Sequence, residues 1–303
     1  MYLAFFDFFR ALLNPNFDYL RFAVIAGILV GIIAPLIGTV VVIRRLSFIA
    51  NTLSHFSLAG ATLGVFLSKL LRGTVLAEYI SVLWLGIIFS IIGTLMIDKL
   101  SRFYKNYKEL SMPIVLSLGV ALSGIFIALS EGGAQNLTNS LLFGSIYTVS
   151  KSDLILIVSI SAFILIFIVV FYKQIITFCF DETFARVSGI NVKLLQIGIT
   201  LILALFISVF MEIIGVLLIS SLMIIPVAAS ILVGNSFKKT ITFSIVFSLL
   251  SVFSGFVLSY ELGLPTGAMI VLFNIFILIV IMTAQKLFLR KKKKQIKKEV
   301  PNN

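Results

Sequence analysis

The chain has 303 residues, of which 60% are hydrophobic and only 12% are charged, and its mean hydropathy is +1.18. A water-soluble domain must keep its surface polar, so this composition excludes an ordinary soluble fold and indicates a chain solvated largely by lipid. The net charge of +12 then belongs outside the bilayer. The single cysteine, Cys179, excludes an intrachain disulfide framework and a cysteine metal cluster.

The N-terminal segment, residues 1–19, begins "MYLAFFDFFRALLNPNF" and is interrupted at Asn14-Pro15-Asn16. It lacks the basic start of a cleavable signal. It is also too short to cross a bilayer, which takes roughly 20 residues. The pattern predicts a segment that lies in the membrane interface.

Apolar runs of membrane-spanning length recur from residue 20 to residue 287. They lie at 20–43, 53–71, 77–97, 111–129, 152–172, 193–211, 213–233, 240–259 and 266–287. Only Met211 and Glu212 separate two of the runs, so 193–233 is either two spans or one span and a broken or re-entrant piece. The pattern predicts an all-α polytopic membrane protein with eight or nine transmembrane helices.

Lysine and arginine concentrate in alternate loops, which orients the chain by the positive-inside rule. Five segments hold 19 of the 24 basic residues: 44–52, 98–110, 173–193, 234–239 and 285–303. This distribution predicts an outside N-terminus and a cytoplasmic C-terminus. The basic tail, 288–303, is then expected to anchor to anionic lipid and not to bind nucleic acid.

The loops contain no soluble domain and no motif of an enzyme. The sequence has no G-x-x-x-x-G-K-[ST] phosphate loop, no G-x-S-x-G elbow and no H-E-x-x-H helix. We therefore expect the chain itself to hydrolyse nothing.

The segment "CFDETFARVSGINV", residues 179–192, has the pattern of a short capped helix at about 181–189. Asp181 suits the N-cap, Glu182 the first turn, Arg186 the last turn and Gly189 a left-handed closing position. Such a helix is either a simple surface connector or a lever that inserts an apolar side chain into another protein's groove.

The segment "RRLSFIANTLSHFSLAGATLG", residues 44–64, carries the only histidine of the chain, His55. On a helix, Asn51, His55 and Thr62 share one polar stripe. Gly60 and Gly64 lie on another side and favour close helix contact. Polar residues in a span tend to face the bundle interior or a wet cavity. A neutral imidazole bonded to a neighbouring helix is the alternative interpretation.

Four stretches together resemble the permease subunits of zinc, manganese and iron ATP-binding-cassette importers. They are "RRLSFIANTLSHFSLAGATLG", "DETFARVSGI", "EIIGVLLISSLMIIPVAAS" and "LGLPTGAMIVL", in the family's order and spread over residues 20–285. The resemblance implies a permease homodimer that docks two cytoplasmic ATPase subunits and receives metal from an extracellular binding protein. It also implies ATP hydrolysis on the separate ATPase.

The resemblance also implies roles for particular residues. The ATPase-coupling positions would be Asp181, Glu182, Phe184, Ala185, Arg186 and Gly189. His55 matches the family's pathway histidine, whereas Asn51 stands where the family has an aspartate. An amide oxygen can ligate a metal but brings no charge, so either the site is weaker or a carboxylate elsewhere compensates. Glu212 is the candidate, with an ordinary outer-loop glutamate as the alternative.

We therefore expect residues 20–287 to form a plasma-membrane permease that moves a divalent metal into the cytoplasm by alternating access. Zinc is the first choice, with manganese or iron as alternatives, and the metal is cargo, so no resident cofactor is expected. A gradient-driven secondary transporter and a permease for a bulky chelate, such as a siderophore or corrinoid, are the other hypotheses. Transport by a chelate permease would not depend on His55.

Overall fold

The structure is a computed structural model. It describes residues 8, 10, 12, 17–71, 81–130, 142, 144 and 149–299, with the side chains of 212, 213 and 288–299 outside that description. Every regular element in these residues is helical, as the composition predicts.

The helices follow one another through short connections. They are α1 (Asp18–Ile43), α2 (Ser47–Leu70), α3 (Val82–Phe103), α4 (Ser111–Leu129), α5 (Lys151–Val170), α6 (Tyr172–Phe180), α7 (Glu182–Val187), α8 (Val192–Ile214), α9 (Val216–Val233), α10 (Phe237–Leu262) and α11 (Thr266–Glu299). A 3₁₀ turn, Lys108–Leu110, precedes α4.

Eight of the described helices are long and apolar enough to cross a membrane. The predicted ninth, α2, is 24 residues long but falls outside this set, because Asn51, His55 and several hydroxyl side chains dilute its hydropathy. It is nevertheless among the most deeply packed helices, with buried residues along most of its length. The all-α polytopic prediction is confirmed; the orientation of the termini stays a prediction.

The apolar stretch 193–233 forms two helices, α8 and α9, which meet at Gly215. Gly215 has φ 94° and ψ 150°, a conformation that side-chain-bearing residues rarely adopt. The break therefore comes at Gly215 and not at Met211 and Glu212, where the sequence places it. Both of those residues are compatible with a helix and continue α8.

The spanning helices pack in two groups. In one, α2 contacts α3, α4 and α8; in the other, α9, α10 and α11 contact one another, and α9 and α10 also contact α1. Glycines allow the closest approaches: a Cβ atom at Gly60 would clash with the Leu85 carbonyl of α3, and one at Gly38 would clash with the Met223 carbonyl of α9. The small-residue surface predicted at Gly60 and Gly64 is therefore a real helix contact, since Gly64 also lies against Val82.

Buried hydroxyl side chains in the spans mostly bond to their own helix. Thr39 donates to the Pro35 carbonyl (2.7 Å) and Thr94 to the Ser90 carbonyl (3.0 Å). A hydroxyl that is satisfied three or four residues back needs no partner on another helix. Helix contacts among the described residues are consequently dominated by shape and not by polar links.

The predicted interfacial segment, 1–19, lies largely outside the described residues. Phe8 is helical and buried, and its ring packs edge-on against Tyr260 with centroids 5.7 Å apart. Arg21 Nε donates to the Leu12 carbonyl at 3.0 Å. These contacts attach the described part of the segment to the bundle.

Candidate functional site

The face of α2 that carries Asn51 and His55 is its open face. From Ile49 to Gly64, every side chain is buried except Asn51, His55 and Leu63. Asn51 and His55 are four residues apart and therefore one turn apart on the same side. Asn51 and His55 are thus the two polar side chains of this stretch that neighbouring helices leave partly uncovered.

The other polar residues of α2 are already bonded. Ser54 donates to the Ala50 carbonyl (2.8 Å), and the hydroxyls of Ser57 and Ser208 lie 2.9 Å apart across α2 and α8. Thr62 is buried and donates to the Leu58 carbonyl (2.9 Å), so it is not a third member of the open stripe. The described residues provide no hydrogen-bond partner for Asn51 or His55, which leaves their heteroatoms available to a ligand.

Asn51 lines an open groove between α2, α9 and α11. The cavity has a volume of about 730 Å³, and its polar lining is Ser47, Asn51, Ser220 and Ser221. Apolar side chains of the three helices form the rest of the wall. An uncharged polar strip of this kind can pass a cation without holding it tightly.

The groove serines, Ser220 and Ser221, were not predicted as site residues. The available signal is their adjacency inside a long apolar run, since hydroxyls at membrane depth tend to face a cavity or a helix contact. Each hydroxyl also donates to a carbonyl of its own helix.

The third predicted metal residue, Glu212, lies in the last turn of α8, and its side chain is outside the described residues. Its helix position is one turn beyond Ser208, whose hydroxyl meets Ser57 of α2. Within the described residues, no three His, Cys, Asp or Glu side chains come together as a metal cluster. The metal-ligand roles of His55, Asn51 and Glu212 therefore stay predictions.

The predicted coupling helix is present as α7. The Asp181 carboxylate accepts from the backbone amides of Thr183 (2.8 Å) and Phe184 (2.9 Å), which satisfies two otherwise unpaired donors. At the other end Gly189 has φ 81°, and the Ile190 amide bonds to the Ala185 carbonyl at 3.1 Å. This is a left-handed helix stop of the Schellman type, so both ends of the short helix are fixed locally.

The two faces of α7 have opposite environments. Ala185 is fully buried against a small apolar cluster that includes Phe178 and Val192. Phe184 and Val187 are 60% and 83% exposed. A rigid helix that presents two large apolar side chains outside the bundle has the form of a docking surface.

Arg44 connects this docking helix to the spans, and sequence reasoning missed it. Its guanidinium donates to the Phe178 carbonyl (3.2 Å) and to Glu182 (2.9 Å), and lies 4.0 Å from the centroid of the Phe178 ring. Arg44 caps α1, and the turn from Arg44 to Leu46 leads directly into α2. The docking helix is therefore tied to the start of the helix that bears Asn51 and His55.

Glu182 is held ionised at this junction. It accepts from Arg44 (2.9 Å) and from Arg186 (2.6 Å). The hydrogen bond from Arg44 is the main cause that lowers the pKa of Glu182 below its ordinary value, with partial burial acting in the opposite direction. The carboxylate therefore keeps its charge, and its link to both arginines, throughout the neutral range.

The chain has membrane-length helices around an open, weakly polar groove and an exposed apolar helix outside the spans. These are the features of a multi-pass permease. The chain belongs to the ABC 3 transport family, which it matches over residues 16–285. It is accordingly a plasma-membrane subunit of a metal importer, and the ATPase of such a system is a separate chain.

Individual relatives support this assignment over nearly the whole chain. The "Probable iron transport system membrane protein" of Haemophilus influenzae is 31% identical, covering 93% of this chain and all of that one. The "High-affinity zinc uptake system membrane protein ZnuB" of Buchnera aphidicola is 30% identical over 82% of this chain and 92% of that one. The solved structure of PsaBC from Streptococcus pneumoniae, in complex with Fab, is 26% identical with a TM-score of 0.76, covering 91% of this chain and 94% of that chain.

Proposed function

We propose that this chain is the permease of a zinc importer and that Asn51 and His55 line the path of the ion. The observation that carries the proposal is the pair of half-buried polar side chains one turn apart on α2, of which Asn51 lines the groove between α2, α9 and α11. An imidazole nitrogen is a preferred ligand for Zn²⁺, whereas Mn²⁺ favours carboxylate and carbonyl oxygen.

The family alone does not decide the metal, because relatives at 31% and 30% identity are named for iron and for zinc. His55 favours zinc over manganese. Asn51 contributes an amide oxygen without charge, which lowers the attraction for a dication and eases its release. Membership of an ABC transport family removes the gradient-driven secondary transporter as an alternative.

We also propose the partners and the orientation that this function needs. Two copies of the chain would enclose the path, and an extracellular protein would deliver the metal. Two cytoplasmic ATPase subunits would dock on Phe184 and Val187, which are the exposed apolar side chains of α7. Docking of cytoplasmic ATPase subunits on α7 would put α7 and the C-terminus in the cytoplasm, as the positive-inside distribution of charge predicts.

The zinc hypothesis is tested at His55. His55→Ala should abolish zinc uptake while leaving expression and ATPase docking unchanged. Ser54→Ala is the matched control, because Ser54 is one residue away, buried and bonded to its own helix. Asn51→Asp should tighten equilibrium zinc binding by restoring an anion one turn from the imidazole. If His55→Ala takes up zinc normally and Asn51→Asp binds no more zinc, then Asn51 and His55 serve only in packing.

The docking hypothesis is tested separately at α7. Phe184→Ala combined with Arg186→Ala should prevent pull-down of the ATPase without unfolding the bundle. Thr183→Ala is the control, since Thr183 is exposed on the same helix and keeps its amide bond to Asp181. Undiminished ATPase binding by the double variant would remove α7 as the docking surface.

A further inference from the structure

A second cavity lies between α3 and α8, at the end of the bundle that carries α7. It has a volume of about 530 Å³ and is separate from the groove that contains Asn51. Its charged lining is strongly one-sided: the cations are Arg102, Lys108, Arg186 and Lys193, and the only acid is Asp98. Four positive charges against one negative charge make it an anion-binding environment.

The wall of the same cavity is apolar where it continues into the spans. Ile91 and Leu95 of α3 face Ile197 and Leu201 of α8 across it. Leu95 and Ile197 are 63% and 59% exposed, so the apolar wall is open and not part of the packed core. A ligand that fits both parts has an anionic head and a hydrocarbon body.

Two of the four cations of this cavity, Lys108 and Lys193, form no ion pair with any described residue. Arg186 is paired with Glu182, and Arg102 interacts with Asp98 one turn earlier on α3. Gln196 and Thr200 add neutral donors to the same lining. Phosphate oxygens accept hydrogen bonds from both kinds of group.

We propose that this cavity binds one anionic phospholipid, with its phosphate among Arg102, Lys108, Arg186 and Lys193 and its acyl chains along the groove between α3 and α8. Basic pockets between transmembrane helices at the cytoplasmic surface suit such headgroups. Because Arg186 belongs to α7, the bound headgroup gives the docking helix a second attachment besides Arg44. Lipid charge then regulates how firmly the docking helix is fixed.

The test measures retention of phosphatidylglycerol and phosphatidylcholine by native mass spectrometry, using the purified permease with and without its ATPase subunits. Arg102→Gln with Lys193→Gln should weaken phosphatidylglycerol binding roughly thirtyfold, since two cationic contacts are lost. Lys238→Gln with Lys239→Gln is the matched control, because it removes two exposed lysines at the start of α10, outside the cavity. Arg102→Lys with Lys193→Arg preserves both charges and should preserve binding.

Specific retention of phosphatidylglycerol, lost in the first variant and kept in the other two, supports the site. Equal retention of phosphatidylcholine would make the lipid ordinary annular lipid and overturn the proposal. Displacement by inorganic phosphate at the same concentration would mean a site for a soluble anion. Release of the lipid when the ATPase binds would assign the cavity to the protein interface, which also overturns the proposal.

Discussion

Replacing Arg44 by alanine should loosen the docking helix α7 from the spans. The substitution removes two hydrogen bonds, to the Phe178 carbonyl and to Glu182, and the stack of the guanidinium on the Phe178 ring. Glu182 retains its contact with Arg186, so the helix itself keeps its internal ion pair. The loss falls on the attachment of α7, and because a helix of only six residues is not stable by itself in water, α7 unfolds when it detaches.

The magnitude follows from the geometry of the Arg44 contacts. Side-chain exposures of 22% for Arg44 and 35% for Glu182 place their charge-assisted bond at the low end of its range, about 1.5 kcal/mol. The stack on Phe178 adds about 0.5 kcal/mol, whereas the longer bond to the Phe178 carbonyl (3.2 Å) is replaced by a bond to water at little net cost. The total of about 2 kcal/mol corresponds to a roughly thirtyfold rise in the opening equilibrium of α7.

Amide hydrogen exchange at Ala185, Ser188 and Ile190 measures this opening, because each of these amides bonds within α7 or at its end. Exchange should be roughly thirtyfold faster in Arg44→Ala, and ATP-driven uptake should fall with it. Arg45→Ala is the matched control, since Arg45 is the next residue and its side chain is exposed. Unchanged exchange in Arg44→Ala, or equal acceleration in Arg45→Ala, would refute the attachment.

Three further predictions concern stability and reactivity. The lowered pKa of Glu182 means that its contribution to the attachment of α7 is complete above the ordinary glutamate pKa, about 4.3, and is lost as pH falls through the lower value. Protection of the α7 amides against hydrogen exchange, corrected for intrinsic rates, should therefore be constant from pH 7 to about 5 and fall in more acidic solution. The Glu182→Gln variant should not show this fall. Burial raises the pKa of Cys179 to about 11, so about one thiol in a thousand is ionised at pH 8, and maleimide labelling should be slow until the chain is denatured. Gly38→Ala places a Cβ against the Met223 carbonyl and should cost about 1–3 kcal/mol in unfolding assays, whereas Gly124→Ala, which meets nothing within 4 Å, should not destabilise.

Features that depend on neighbours in the sequence were predictable. The cap at Asp181, the stop at Gly189 and the one-turn spacing of Asn51 and His55 are local properties, and the structure contains all of them. Hydropathy located the spans because membrane helices must bury a continuous apolar length.

Features that depend on distant contacts were not predictable. Arg44 meets Phe178 and Glu182 across 134 and 138 residues of sequence, and no local pattern marks that approach. The helix break at Gly215 was misplaced because a single glycine in an apolar stretch is a weak signal next to a charged residue such as Glu212.

Many hydroxyl side chains of the spans bond to a carbonyl of their own helix, and this affects how the helices can move against one another. A side chain such as Thr39 or Thr94 that bonds to its own helix keeps that bond when the helix slides or rotates. Among the described residues, neighbouring spans can therefore move as rigid rods and exchange one apolar contact for another, with few polar bonds to break. The hydroxyl contact between Ser57 and Ser208 is an exception, and it would hold α2 and α8 together as a fixed pivot while the other rods move around it.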